Sequence, residues 1–273
     1  MLTLGLLGTG RLGTAIRDAA ASTEDLEIGW AIGRGTPPAQ PVEVAIDVSH
    51  PDAVAGHLTW AEDTGIPLVI GTTGWDVALV AAPDVPVLVA PNFSLGVAVV
   101  RHLAHLLGRY AAATAPGAGR PMVDLAVTET HHRHKVDSPS GTALTLREAL
   151  ASGAGREATE VQTTSLRLGS VVGEHAVIAS SPLETISIRH SAHDRGLFAD
   201  GALAAARWLV TQPPGRYGLD DLAADLLPEL APCPAATHPS STRSTPGSST
   251  THPLENPSRG DSPHENTPHE RSA

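Results

Sequence analysis

A single cysteine, Cys233, stands in the whole chain. That excludes an intramolecular disulfide framework and any zinc site built from several cysteines. No apolar run approaches the ~20 residues of a membrane-spanning helix. No basic segment precedes a short apolar run at the N-terminus, so no signal peptide is read. Together these absences lead us to expect a cytoplasmic protein. Positive charge is also scarce: the formal net charge is −11, which argues against non-specific binding to nucleic acid or to an anionic membrane. Aromatics make up only 3% of the chain, and its core must be built from small aliphatic residues. The length of 273 residues allows one or two domains around a sizeable core.

Lysine is scarcer still. Lys135 is the only one, and every other strong base is arginine. Arginine keeps its charge at any working pH, whereas an ammonium can give up a proton. Lys135 lies in the run His131-His132-Arg133-His134-Lys135, followed by Pro139-Ser140-Gly141-Thr142. An anionic substrate of so acidic a protein needs a local basic pocket, and this run is the candidate.

The first third of the chain reads as alternating strands and helices. Leu2 to Leu7 is an apolar strand, Gly8-Thr9-Gly10-Arg11-Leu12-Gly13 follows, and Thr14 to Ala21 reads as a helix. Strand, Gly-x-Gly-x-x-Gly and helix in that order form the dinucleotide-binding fingerprint. Glycines let the backbone approach a pyrophosphate, and the helix start offers free N–H groups and a positive dipole end. Leu26 to Ile32 is the second strand. Its tip carries Gly33 and Arg34 instead of the acid that commonly holds the ribose hydroxyls. A missing acid beside an arginine favours a 2′-phosphate, hence NADPH over NADH, with NADH still possible.

Val42 to Val48, Pro67 to Ile70 and Val85 to Ala90 read as three more strands. They end in Asp47-Val48-Ser49, Gly71-Thr72-Thr73-Gly74 and Pro91-Asn92-Phe93-Ser94. Pro51 to Thr64 reads as an amphipathic helix between the first two of these. The pattern predicts a doubly wound parallel sheet of the Rossmann type, with ligands beyond the carboxyl ends of the strands. The polar clusters fall at those ends, although each alone is ordinary turn chemistry.

Ser94 to Ala113 reads as a long helix whose apolar stripe is core. Val123 to Val127 is a strand leading into the basic run, and Ser140 to Ala151 is a helix. Thr163 to Leu168, Glu174 to Ala179 and Leu183 to His190 are strands too close together for intervening helices, which implies largely antiparallel pairing. This predicts a second, α+β layer with a mixed, largely antiparallel sheet. Phe198 to Val210 and Leu219 to Leu227 read as helices returning to the first domain. From about Pro234 to Ala273 the chain is dense in Pro, Ser, Thr, His and Glu, and is read as a disordered tail.

The basic run can move protons through His131, His132, His134 and Lys135. The Ser140-Gly141-Thr142 helix start can hold a carboxylate. Glu129 and Asp137 can orient the bases or shape the loop. Such a stretch suits a nicotinamide enzyme that reduces a C=N or conjugated C=C bond in a carboxylate substrate. A metal bridging His131 and His134 is the rival chemistry; no His-Glu-x-x-His helix is present and Lys135 repels a cation, so no metal is expected. A nucleotide-sensing binding module that kept the fold and lost the reaction is the rival function.

The run Glu129-x-His131-His132-x-x-Lys135-x-Asp137-x-Pro139-Ser140-Gly141-Thr142-Ala143 resembles the signature of the 4-hydroxy-tetrahydrodipicolinate reductases, formerly dihydrodipicolinate reductases. The resemblance extends through Gly71-Thr72-Thr73-Gly74, Asn92-Phe93-Ser94-x-Gly96, Arg167-x-Gly169-x-x-x-Gly173-x-His175 and His190-x-Ala192-x-x-Arg195. The chain departs from that family in a first glycine loop one residue shorter and in Gly33, where an acid is usual. The resemblance implies an NAD(P)H-dependent reductase of lysine biosynthesis through diaminopimelate. It implies His131 and Lys135 as catalytic proton carriers, and His132, Gly141 and Thr142 as substrate contacts. It implies cofactor contacts at Gly8, Thr9, Gly10, Arg11, Leu12, Gly13, Gly71, Thr72, Thr73, Ala90, Pro91, Asn92 and Phe93, to which the residue reading adds Arg34. It also implies a homotetramer assembled through the second sheet. The expected domains are a dinucleotide-binding domain over 1–95 completed by 196–230, a substrate-binding and oligomerisation domain over 96–195, and the tail over 234–273.

Overall fold

The computed structural model of the protein describes residues 1–114 and 123–228. The tail expected over 234–273 and the Gly/Pro segment 116–121 lie outside the described residues.

The chain runs β1 (Leu2–Leu7), α1 (Arg11–Ala20), β2 (Leu26–Ile32), β3 (Val44–Asp47), α2 (Pro51–Thr64), β4 (Leu68–Ile70) and β5 (Pro86–Val89). It continues through α3 (Leu95–Ala113), β6 (Asp124–His131), α4 (Gly141–Ala154), β7 (Gln162–Arg167), β8 (Gly173–Ser180) and β9 (Thr185–Ala192). It ends in α5 (Gly196–Leu209), β10 (Gly215–Gly218) and α6 (Leu219–Leu226). One sheet has the order β10-β5-β4-β3-β1-β2, with every neighbouring pair parallel.

Alternate side chains of its strands enter two cores. Leu4, Leu6, Val44 and Ile46 face α1, α5 and α6 through Ile16, Ala202, Leu203 and Leu222. Leu7, Ala45, Leu68 and Ile70 face α2 through Val54, Leu58 and Ala61. Burial on both faces is why these strands read as unbroken apolar runs. Helix α2 is bounded by its sequence: Pro51 opens it, and Gly65 ends it in the left-handed region at φ 71°.

Helix α3 joins the two layers. Ala98 packs in the first core, while Val100, Ala104, Leu107 and Ala111 pack in the second, beneath the sheet β7-β6-β8-β9. Helix α4 covers the same face through Leu146 and Leu150. The two helices cross closely, because a Cβ on Gly108 would stand 2.2 Å from the Leu150 carbonyl oxygen and one on Gly153 2.0 Å from that of His105.

The structure bears out the expected second sheet and corrects the sequence reading at two elements. The second sheet is mixed and largely antiparallel, as expected: β6–β8 and β8–β9 are antiparallel, and β7 pairs in parallel with β6. Helix α4 carries the chain back along the sheet, so β7 enters in the direction of β6 and lies at the sheet edge, away from β8. Helix α1 starts at Arg11, not Thr14, so Arg11, Leu12 and Gly13 are its first turn. Strand β10 was not foreseen; Gly-Arg-Tyr-Gly has glycine at both ends and lacks strand character.

Candidate active site

The glycine loop and the ends of β2 and β3 enclose a cleft of about 670 Å³, lined among others by Gly8, Thr9, Gly10, Gly33, Arg34 and Ser49. Gly8 has φ +114°, and a Cβ there would stand 2.5 Å from the Val48 carbonyl oxygen. A Cβ on Gly13 would lie 2.0 Å from the Gly8 carbonyl oxygen, so Gly13 lets α1 close against the loop. Nothing stands within 4 Å of the Cβ position at Gly10, which leaves the loop open where a phosphate would approach. No side chain caps α1, so its first-turn N–H groups face that opening without a side-chain partner. The cleft therefore fits a dinucleotide: a glycine cradle, a helix start and an arginine in place of an acid.

Other expected cofactor residues are placed differently. Arg11 is exposed on α1, and Leu12 packs against the first core. The Thr72 hydroxyl is spent on Asp47 at 2.8 Å. Ala90 and Phe93 are buried, and the Phe93 ring fills the space a Cβ on Gly71 would need. None of these side chains lines the cleft.

Asp47, fully buried at the tip of β3, was not singled out from sequence. It accepts hydrogen bonds from His57 Nδ1 at 2.7 Å, Ser49 N at 2.9 Å, Ser49 Oγ at 2.6 Å and Thr72 Oγ1 at 2.8 Å. Burial pushes its carboxyl up, but these bonds, led by His57, outweigh burial and hold it below the usual carboxylate range.

The second half of the site grows from β6. Its side chains alternate, so Leu125, Val127, Glu129 and His131 share the buried face. Leu125 and Val127 build the core, and the same face turns polar at Glu129. Glu129 pairs in register with His175 of β8 and Ser165 of β7, and His131 with Arg167 of β7. The Glu129 carboxylate accepts a short hydrogen bond from His131 Nδ1, two at 2.9 Å from the Arg167 guanidinium, and one at 3.3 Å from Ser140 N. Burial would raise its pKa, yet the hydrogen bonds, led by Arg167, bring it down to about 2. Burial draws His131 below the ordinary histidine value; Glu129 opposes this, while Lys135 and Arg167 add to it. The His131 and His175 rings meet edge to face at 5.1 Å. Burial, and next the neighbouring His131, hold His175 down at about 4.

The loop after β6 brings Lys135 Nζ to 2.9 Å from Asp137 Oδ1. His132 is half-buried, and its pKa is drawn down by burial first and then by the charge of Arg195. His134 and Arg133 point outward. Ser140 caps α4 through Ala143 N at 3.2 Å and holds His175 Nε2 at 3.2 Å. Gly141 and Thr142 form the first positions of α4.

The two halves meet through the turn after β5. Asn92 Nδ2 donates to Thr142 Oγ1 at 2.8 Å, and Ser94 Oγ lies 3.4 Å from His190 Nε2. A Cβ on Gly201 of α5 would stand 1.8 Å from the Phe93 carbonyl oxygen, so α5 presses this turn from the other side. Among the described residues no cluster of three or more His, Cys, Asp or Glu is arranged to hold a metal ion. No helix among them is long and apolar enough to cross a membrane.

Comparison with known proteins matches this architecture in both halves. The family described as dihydrodipicolinate reductase, N-terminus, matches residues 37–93, and its C-terminus matches residues 96–223. A 4-hydroxy-tetrahydrodipicolinate reductase of Alkalilimnicola ehrlichii is 38% identical over 239 residues, 80% of this chain and 81% of that one. One from Xanthomonas campestris pv. campestris (strain B100) is 40% identical over 238 residues, 78% of this chain and 94% of that one. The solved dipicolinate-bound dihydrodipicolinate reductase from Paenisporosarcina sp. TG-14 shares the fold. Its TM-score is 0.67 at 19% identity, over 81% of this chain and 99% of that one.

Proposed function

The chain belongs to the dihydrodipicolinate reductase family, and on that premise we propose that it is a 4-hydroxy-tetrahydrodipicolinate reductase. Its substrate is then a cyclic imine bearing two carboxylates, and its product tetrahydrodipicolinate, on the diaminopimelate route to lysine. The observation that carries this reading is the Asn92–Thr142 hydrogen bond, which ties the turn after β5 of the dinucleotide-type sheet to the helix start that follows the proton-handling loop.

When bound, NAD(P)H supplies a hydride to C4 of the dehydrated, conjugated ring. The electron pair displaced by that hydride must be quenched by a proton. His131, its Nδ1 held by Glu129, and Lys135 are the groups at hand to deliver it. One substrate carboxylate rests on the N–H groups of Gly141 and Thr142, near His132. Gly8, Thr9, Gly10 and Arg34 line the cleft and hold the cofactor directly; the turns at Gly71–Thr73 and Ala90–Phe93, at the carboxyl ends of β4 and β5, are assigned to it from the family resemblance. The absence of an acid at the β2 tip and the position of Arg34 in the cleft support NADPH over NADH.

We assign residues 1–95 with 196–230 to cofactor binding and 96–195 to substrate binding and assembly, the assembly being a homotetramer of a cytoplasmic enzyme. The test couples the preceding synthase to this protein and follows oxidation of NADPH and of NADH. Faster oxidation of NADPH is expected. A clear preference for NADH overturns the cofactor choice. Oxidation of neither leaves a catalytically silent nucleotide-binding protein.

A further inference from the structure

Arg167 has every donor engaged. Nε donates to the Lys135 carbonyl at 3.3 Å. Nη1 donates to Glu129 Oε2 at 2.9 Å and to the Leu166 carbonyl at 2.7 Å. Nη2 donates to Glu129 Oε1 at 2.9 Å and, closely, to the Asp137 carbonyl. A guanidinium has five N–H groups, and five acceptors surround this one. Nothing remains to bind a substrate carboxylate, which argues against the obvious role for an arginine beside a dicarboxylate site. Its two contact directions are instead the two proton carriers. One reaches the carboxylate that holds His131; the other reaches the main chain on both sides of Val136, the loop that carries Lys135.

We propose that Arg167 is a positioning residue that aligns both proton-carrying groups at once, His131 through Glu129 and Lys135 through the carbonyls of Lys135 and Asp137. This rests on the reductase reading for its catalytic consequence, though not for its geometry. Glu129 is buried and bonded to Arg167 through both oxygens. It stays ionised and only accepts. His131 must therefore carry its proton on Nδ1 when neutral, which leaves Nε2 as the nitrogen that exchanges protons with a substrate. On that side Gly173 leaves room: a Cβ there would stand 3.0 Å from Nε2. The pairing of β7 beside β6 makes the arrangement possible, since it sets Arg167 directly opposite His131. A lysine in place of Arg167 has three donors on one atom and cannot serve both directions.

The experiment reads the His131 ring nitrogens by ¹⁵N NMR in the full-length protein, alongside steady-state kinetics. Wild type is expected to show Nδ1–H with Nε2 unprotonated at neutral pH. In Glu129→Gln the amide oxygen takes the Oε1 position, where Arg167 Nη2 and Ser140 N both donate, so the amide NH₂ meets Nδ1 and the ring switches to the Nε2–H tautomer. Arg167→Lys is expected to lower kcat on the order of 10²-fold, with the KM for NADPH within about twofold, since both proton groups lose alignment. An Nε2–H tautomer in wild type, or an Arg167→Lys enzyme with near-normal kcat, overturns the proposal. An inactive wild type showing the Nδ1–H tautomer overturns the reductase reading while supporting the geometry.

Discussion

Asn92 donates its side-chain N–H to the hydroxyl oxygen of Thr142 at 2.8 Å, across the boundary between the two sheets. Its own carbonyl accepts from Ser94 N at 2.8 Å, so the amide orientation is fixed. With Thr142 Oγ1 accepting from Asn92, the Thr142 hydroxyl hydrogen is left to point elsewhere, towards an anion at the start of α4. Asn92→Asp reverses this: a carboxylate accepts the Thr142 hydrogen and adds negative charge beside the substrate. The KM for the dicarboxylate should rise on the order of tenfold, the equivalent of one lost hydrogen bond of about 1.4 kcal/mol. The dissociation constant for NADPH should stay within about twofold, read by nucleotide fluorescence. An equal loss of nucleotide affinity would assign Asn92 to the cofactor instead.

Lys135→Ala tests the proton role directly. Removing a positioned general acid typically costs on the order of 10²–10⁴ in rate. The loop keeps its anchor, because Arg167 bonds the main-chain carbonyls of residues 135 and 137 and not the lysine side chain. Turnover should therefore collapse while NADPH binding stays near normal. A variant with near-wild-type turnover removes Lys135 from the mechanism.

Acid should destabilise the protein in two separable steps. His175 is held down at about 4, against an ordinary value near 6.5. As pH falls through that window the unfolded chain takes up a proton that the native ring refuses, so stability falls. Glu129 is held down at about 2, against an ordinary value near 4.5. Its contribution is fully present above about pH 4.5 and is lost as pH falls towards 2. Urea unfolding across pH should show His175→Gln flattening the upper part of the decline and Glu129→Gln the lower part. The reverse assignment, or no change in either slope, would refute it.

Much of this site was legible in the sequence because its chemistry is local. Gly8 to Gly13 sits between a strand and a helix, and Glu129 to Thr142 carries its proton groups and its helix start within one short stretch. Strand β6 runs on to His131, past the Val127 end read from the sequence, and that extension puts Glu129 and His131, spaced i, i+2, on one strand face. What could not be read is register. His175 reaches the site because β8 pairs antiparallel with β6, and Arg167 because β7 pairs in parallel. The local signals that marked β7 as a strand did not say which strand of a mixed sheet would run parallel, since strand propensity does not encode direction. Asp47 escaped for the same kind of reason: its partners Ser49, His57 and Thr72 come from a turn, a helix and the end of another strand.

That buried carboxylate makes the sharpest stability prediction. Asp47 gathers the turns after β3 and β4 and the side of α2, with no exposed surface of its own. Asp47→Ala leaves His57 Nδ1, Ser49 N, Ser49 Oγ and Thr72 Oγ1 without their shared acceptor. Each stranded buried polar group costs on the order of 1–3 kcal/mol, reduced where water can enter from the cleft that Ser49 and His57 line. A loss of about 3 kcal/mol or more in urea unfolding is expected. Arg34→Ala, at an exposed position on the same cleft, should stay within about 0.5 kcal/mol of wild type. The second value separates the cost of opening the Asp47 network from any general fragility of the cleft. A small effect at Asp47 beside an equal one at Arg34 would mean that the network contributes nothing to holding these turns together.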